Sequence, residues 1–158
     1  MKEVVAGGAT RQESSRISVE RFGGDTDYVL IHDAARPFVT TSLLDNITKL
    51  VKKYGAVAPT ISPSHTIIEV NKLGFMEKIP NRENLKRVQT PRAFKYEIIK
   101  SAHEQAVNKS IKHATDDCSL VLRLGQPVFT IKGNEKNIKI TFPDDFKIAD
   151  AIFKKSKQ

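Results

Sequence analysis

An apolar run, an amphipathic helix and a second apolar run follow one another early in this chain and constrain its fold more than any other feature. Tyr28-Val29-Leu30-Ile31 is continuously apolar between polar neighbours, as a strand covered on both faces of a parallel sheet reads. Leu43, Leu44, Ile47, Leu50, Val51 and Tyr54 then recur at helical spacing. Ser42 or a neighbouring threonine can cap that helix, and Gly55 ends it. Residues 56–61 read as a second strand. Residues 27–61 are therefore expected to form one strand–helix–strand unit with a right-handed crossover, which sets the fold class as α/β.

The rest of the chain varies that rhythm. Thr66-Ile67-Ile68-Glu69-Val70 and residues 75–79 flank Asn71-Lys72-Leu73-Gly74, and together predict a β-hairpin within 62–84. Such a hairpin is marginal alone in water, so it must lie against its own domain or a second subunit. After Gln89-Thr90-Pro91 a helix is expected to carry Phe94, Ile98, Ile99, Ala102 and Ala106 on one face. A shorter helix starts near Thr115-Asp116-Asp117 and carries Leu120, Val121 and Leu124. Residues 128–131 read as a strand, and Lys139-Ile140-Thr141 as an alternating, half-buried one. Pro143-Asp144-Asp145 suits the first turn of a last helix, with Phe146, Ile148, Ala149, Ile152 and Phe153 as its apolar side. A chain of 158 residues fits one domain spanning 1–158.

Composition narrows the function classes. With 39% hydrophobic and 28% charged residues the chain reads as an ordinary globular protein rather than a disordered one. A lone cysteine, Cys118, rules out an intramolecular disulfide and a multi-cysteine metal site, and agrees with a cytoplasmic setting. No apolar run approaches the ~20 residues of a membrane helix, and residues 1–8 lack a secretory pattern. The net charge of +8 points to an anionic partner. Lys154, Lys155 and Lys157 read as a solvated helix end and tail. Only 7% of residues are aromatic, and no basic stripe is interleaved with stacking rings. A nucleic-acid module is therefore disfavoured against a phosphorylated small molecule.

Chemistry concentrates in a few strings. In open α/β sheets ligands bind beyond the carboxyl ends of strands, and Asp33 follows the first strand almost at once. Its carboxylate can hold a divalent cation, and Arg36 can clamp a phosphate. Equally, Asp33 can cap a turn and Arg36 can form a salt bridge, and the string His32-Asp33-Ala34-Ala35-Arg36-Pro37 alone does not separate the two. His32 is assigned to packing or hydrogen bonding. Gly7-Gly8-Ala9-Thr10-Arg11-Gln12-Glu13-Ser14 opens a helix, where two glycines let backbone amides approach a ligand and Ser14 offers a hydroxyl. Plain capping explains that string as well, and it is the default for Thr115-Asp116-Asp117. In Asn137-Ile138-Lys139-Ile140-Thr141, the lysine either faces solvent or reaches an anion at the strand's end.

Taken together, residues 32–37, residues 7–14, Arg82 with Leu85, Gln89-Thr90-Pro91, Thr115-Asp116 and residues 137–141 stand in the order and approximate spacing of one family. The chain resembles 2-C-methyl-D-erythritol 4-phosphate cytidylyltransferases of the non-mevalonate isoprenoid pathway, from about Gly7 to Ile152. The resemblance implies a Rossmann-like nucleotidyltransferase fold with a protruding β-hairpin arm. It implies Mg²⁺-assisted transfer of CMP from CTP to a sugar-alcohol phosphate, with release of pyrophosphate. Carried over, Gly7, Gly8 and Ser14 fall at the nucleotide, and Asp33 near metal and nucleotide. Arg36, Thr66, Arg82, Thr90 and Thr115 fall around the substrate phosphate, and Lys139 at the reacting phosphates. The 62–84 arm would reach over a partner in a homodimer, so that Thr66 and Arg82 complete the neighbour's pocket. The strand and glycine-rich triphosphate loop with which the family opens have no counterpart before Gly7. The fold is thus expected to be incomplete at its N-terminal side, with exposed sheet edges and an uncovered helix face. Turnover by the chain alone is expected to be weak or absent. Ala9 stands where an acid is common, and Arg92 where glutamine is usual. Ribitol 5-phosphate is the alternative acceptor, and a non-catalytic dimerising remnant or a nucleic-acid-binding module the alternative of another class.

Overall fold

The computed structural model describes residues 3–112 and 114–155, so Lys157 lies outside the described residues. A mixed sheet forms the centre. Strand β1 (Tyr28–Ile31) leads through α2 (Thr41–Tyr54) to β2 (Ala56–Ile61), the strand–helix–strand unit expected from the sequence. Helix α1 (Arg11–Glu20) precedes it. Thr40 caps α2 by accepting from the Leu43 N–H, and Gly55 ends it at φ 78°, a left-handed conformation that glycine adopts without strain.

The sheet is not purely parallel. Strand β6 (Arg92–Lys95) inserts between β1 and β2 and pairs antiparallel with both, in the registers Val29↔Phe94 and Val57↔Ala93. Strand β5 (Arg87–Val88) pairs with the far end of β2, and β7 (Phe129–Lys132) runs parallel along the other edge of β2. Phe94 was expected on a helix. It lies on β6, and α3 (Tyr96–Asn108) begins only two residues later. Phe94 and Ile98 are four apart, so helical spacing continued backwards into a strand whose place is decided by two tertiary partners.

Helices cover both faces. Val29, Ala56, Ala58 and Phe94 pack with Val19 of α1, with Ile99 and Ala102 of α3, and with Leu120 and Val121 of α4 (Asp117–Arg123). On the opposite face Leu43, Ile47 and Val51 of α2 meet Val57, Ala93 and Ile131. Burying each of the valine, leucine, isoleucine and phenylalanine side chains stabilises the fold by about 1.5–3 kcal/mol, and each alanine by less. Strand β1 is not covered on both faces as expected, because Leu30 is 38% exposed while Val29 is buried. Among the described residues β1 pairs only with β6, so it forms one edge of the sheet.

Two further expectations are corrected. Lys139-Ile140-Thr141 lies in a loop, where a single backbone bond from the Ile140 N–H to the Ala35 carbonyl (2.8 Å) replaces a ladder. Helix α5 (Asp145–Lys155) buries only Ala149, while Phe146 and Ile148 stay exposed. The hairpin is present but short, with β3 (Glu69–Val70) paired to β4 (Met76–Lys78). Ile67, Ile68, Val70, Leu73, Phe75, Met76 and Ile79 are all exposed on this arm. Among the described residues no helix is long and apolar enough to cross a membrane.

Candidate active site

The register Ile31↔Arg92 brings the end of β1 beside the start of β6. His32 and Asp33, just past β1, therefore face Thr90, just before β6. The Asp33 N–H donates to Thr90 Oγ1 (3.0 Å), which also lies 3.0 Å from His32 Nδ1. His32 Nε2 is 3.0 Å from the Arg36 carbonyl. A carbonyl can only accept, so Nε2 carries the proton and Nδ1 accepts from the Thr90 hydroxyl. His32 thus locks the 32–36 turn to Thr90 through hydrogen bonds, as its assignment from the sequence anticipated.

That turn gathers three charges. Arg36 Nε and Lys139 Nζ stand 3.4 and 3.3 Å from Asp33 Oδ2. Burial works against ionisation of Asp33, but the Lys139 ammonium and the Arg36 guanidinium hold its carboxyl below the ordinary carboxylate value. Arg36 Nη1 also donates to the Asn137 carbonyl (2.8 Å). Arg36, Gln89 and Lys139 line a cleft of about 390 Å³, and Asp33, Ser14 and Val29 line another of about 360 Å³ beside α1. The Asp33–Arg36–Lys139 ion pairs link the two clefts. A larger, mostly apolar cleft of about 790 Å³ lies between α5 and residues 37–40 and includes none of these charges.

The α1 side is built from its own caps. Thr10 accepts from the Glu13 N–H, Ser14 Oγ accepts from the Gly8 N–H (3.0 Å) and donates to the Thr10 carbonyl, and Glu13 accepts from the Ala9 N–H. A Cβ at Gly8 would stand 2.2 Å from Glu13 Cγ, and one at Gly7 2.9 Å from Ser14 Oγ, so the backbone approaches its own helix closely at both glycines.

Arg82 and Thr66 are not joined to the Asp33 cluster by any hydrogen bond or ion pair. Arg82 donates to the carbonyls of Pro63 (2.6 and 3.1 Å) and Ser64, closing the base of the arm, and Thr66 is exposed just before β3. Thr115 is exposed one residue before Asp116, the N-cap of α4.

A second polar cluster was not singled out from the sequence. The fully buried Asp117 carboxylate accepts from Arg11 and from Ser15 Oγ (2.7 Å), with His103 Nε2 at 3.5 Å and Arg92 Nη1 at 3.9 Å. Arg92 Nη2 also reaches Asp116 (3.3 Å). Burial raises the Asp117 pKa, but the adjacent His103 ring and the hydrogen bonds from Ser15 and Arg11 outweigh it and hold the carboxyl well below the usual range. Gln12 adds bonds to the Ile111 carbonyl and the Ala114 N–H. Helix α1 is therefore docked largely by polar contacts.

The sequence matches the model of the 2-C-methyl-D-erythritol 4-phosphate cytidylyltransferase family over residues 1–155. A relative of that name from Desulforamulus reducens is 44% identical over 152 residues, covering 96% of this chain and 64% of the relative. One from Clostridium botulinum is 41% identical, covering 98% and 67%. The chain thus spans about two thirds of the length of these relatives. The crystal structure of the enzyme of that name from Thermus thermophilus superposes with TM-score 0.84 at 33% identity, covering 95% of this chain and 72% of that one. A 4-diphosphocytidyl-2C-methyl-D-erythritol synthase from Anaerococcus prevotii gives 0.88 at 28% identity, covering 95% and 66%.

Proposed function

Because the chain belongs to the 2-C-methyl-D-erythritol 4-phosphate cytidylyltransferase family, we propose that it serves the transfer of CMP from CTP to 2-C-methyl-D-erythritol 4-phosphate, with release of pyrophosphate, in the cytoplasm. The observation that carries this reading is the Asp33–Arg36–Lys139 cluster at the end of β1. In-line attack by a phosphate oxygen on the α-phosphorus forms one P–O bond and breaks the bond to pyrophosphate. Positioning and charge neutralisation are the protein's main tasks in such a step. Lys139 neutralises charge on the reacting phosphates, while Arg36, Thr90 and Thr115 hold the acceptor's phosphate. Gly7, Gly8 and Ser14 lie on the nucleotide side. A partner in a homodimer supplies Thr66 and Arg82 through the arm.

A magnesium ion suits Asp33. Both ion pairs fall on Oδ2, which leaves Oδ1 for a cation, and Mg²⁺ commonly takes one or two carboxylates with phosphate oxygens and water. No group of three or more metal-ligating side chains occurs among the described residues, so phosphate would supply much of the coordination. When bound, the ion offsets phosphate charge.

The test is CTP-dependent pyrophosphate release with 2-C-methyl-D-erythritol 4-phosphate or ribitol 5-phosphate as acceptor. It is run on the chain alone and with the strand and glycine-rich loop of the family added as a peptide. Turnover is expected to be weak alone, to rise with the peptide and to favour the methylerythritol acceptor. Lys139→Ala should lower kcat by roughly a hundred-fold. Absence of transfer to either acceptor by folded, complemented protein would sink the proposal.

A further inference from the structure

We propose that Asn137 and Gln89 form an amide bracket that positions Lys139 and Arg36 on Asp33, making them positioning residues for the transfer proposed above, on which this inference rests. Lys139 is poorly placed by packing, since its side chain is 49% exposed and its stem has four rotatable carbons. Its location depends on the backbone of residues 133–140, which forms neither helix nor strand beyond β7. Something else must fix that backbone.

Two buried amides do so. Asn137 is fully buried, and its Nδ2 donates to the Thr90 carbonyl (2.8 Å). Its own carbonyl accepts from Arg36 Nη1 (2.8 Å) and from Gln89 Nε2 (3.2 Å). Gln89, 3% exposed, also donates to the Asn134 carbonyl (2.9 Å) and accepts from the Asn134 N–H (3.1 Å). The loop is thus tied to the strand segment that carries Thr90, and Thr90 in turn holds His32 and the Asp33 N–H. All three charged groups hang from this one network.

The bracket is neutral, which matters beside an ion cluster. A charged residue in its place would compete for Asp33 or Lys139, whereas an amide fixes distance and adds no field. Asn137 Oδ1 is buried without a hydrogen-bond partner. The residue therefore fits its position through Nδ2 and its backbone carbonyl.

A double-mutant cycle between Asn137→Ala and Lys139→Ala tests the proposal, read as pyrophosphate release in the complemented protein. Asn137→Ala is expected to lower kcat roughly ten- to a hundred-fold and to change KM for CTP by less than about two-fold. In the Lys139→Ala background the same substitution should cost several-fold less, because one of the two groups it positions is gone and only Arg36 remains. Equal losses in both backgrounds, or an unchanged kcat, would overturn the bracket. Gly133→Ala is the second perturbation: its Cβ would stand 2.3 Å from Gln89 Oε1 and 3.2 Å from the Thr60 carbonyl, displacing the Gln89 amide without touching Asn137. If Asn137→Ala does not fold, the cycle of Gly133→Ala with Lys139→Ala decides alone on the same criteria. The cycles are repeated in the Kd of inorganic pyrophosphate, measured by calorimetry, which needs no turnover. An inactive wild type with a non-additive pyrophosphate cycle sinks the transfer reading but keeps the bracket. An active wild type with additive cycles does the reverse, and a wild type that neither turns over nor binds pyrophosphate overturns both.

Discussion

Asp117 receives contacts from three elements: Arg11 and Ser15 of α1, Arg92 of β6, and His103 of α3. Removing its charge leaves Arg11 without its counter-ion and Arg92 with Asp116 alone, around a fully buried side chain. Asp117→Asn should therefore destabilise the fold by about 3–5 kcal/mol, measured as a shift in the urea midpoint. The pH dependence follows from its lowered pKa. The unfolded chain protonates near the ordinary carboxylate value, so the contribution is complete above about pH 4 and is lost as pH falls further toward the lowered folded value. Wild type should lose stability steeply over that acid range, while Asp117→Asn follows a shallower curve. Equal slopes would refute the account. None of this was legible in the sequence, where Thr115-Asp116-Asp117 reads as a helix cap. Asp116 does cap α4, but the partners of Asp117 lie far away in the chain. Asp33, Arg36 and Lys139 were singled out through the family resemblance, since residues 32–37 alone left a site and a capped turn equally open, and the structure brings the three together. Asn137 and Gln89 stand in the same strings, yet they work through backbone carbonyls, which carry no residue signature.

At the level of elements, legibility tracked how completely an element's own sequence determines its surroundings. Helix α2 has a cap, an apolar stripe and a terminal glycine, and all three were readable. Its stripe supplies most of one face of the core, so Ile47→Ala, at a site of 0% exposure, should cost about 2–5 kcal/mol in urea unfolding. A smaller loss would mean that α2 collapses onto the vacated space. Strand β6 was not readable, because the four residues between Gln89-Thr90-Pro91 and α3 carry too little periodicity. Its strand character comes from β1 and β2. Helix α5 erred in the other direction. Its pattern is amphipathic, but no facing apolar layer meets Phe146 and Ile148 among the described residues.

On the scale of the molecule, the α/β class and the layering of helices on both sheet faces followed from the sequence, whereas the antiparallel insertion did not. The arm shows seven exposed large apolar side chains on a two-stranded sheet. A patch of that kind marks an interaction site, and the homodimer proposed above would cover it. Phe75→Glu with Leu73→Glu should convert a dimer to monomer in sedimentation equilibrium while leaving the urea midpoint within about 0.5 kcal/mol of wild type. A wild-type monomer at all concentrations would refute the dimer.

The placement of β6 between β1 and β2 also governs the order of events during synthesis. Tyr28–Ile31 is made well before Arg92–Lys95, the one strand it pairs with among the described residues. Chains elongate at roughly 5–20 residues per second, so β1 waits for seconds with this ladder unmade. The helix between β1 and β2 can form in that interval, but it has only half a floor to rest on. Closure of this β1–β6 ladder therefore waits for a four-residue segment, and pairings over such a sequence distance are intrinsically slow.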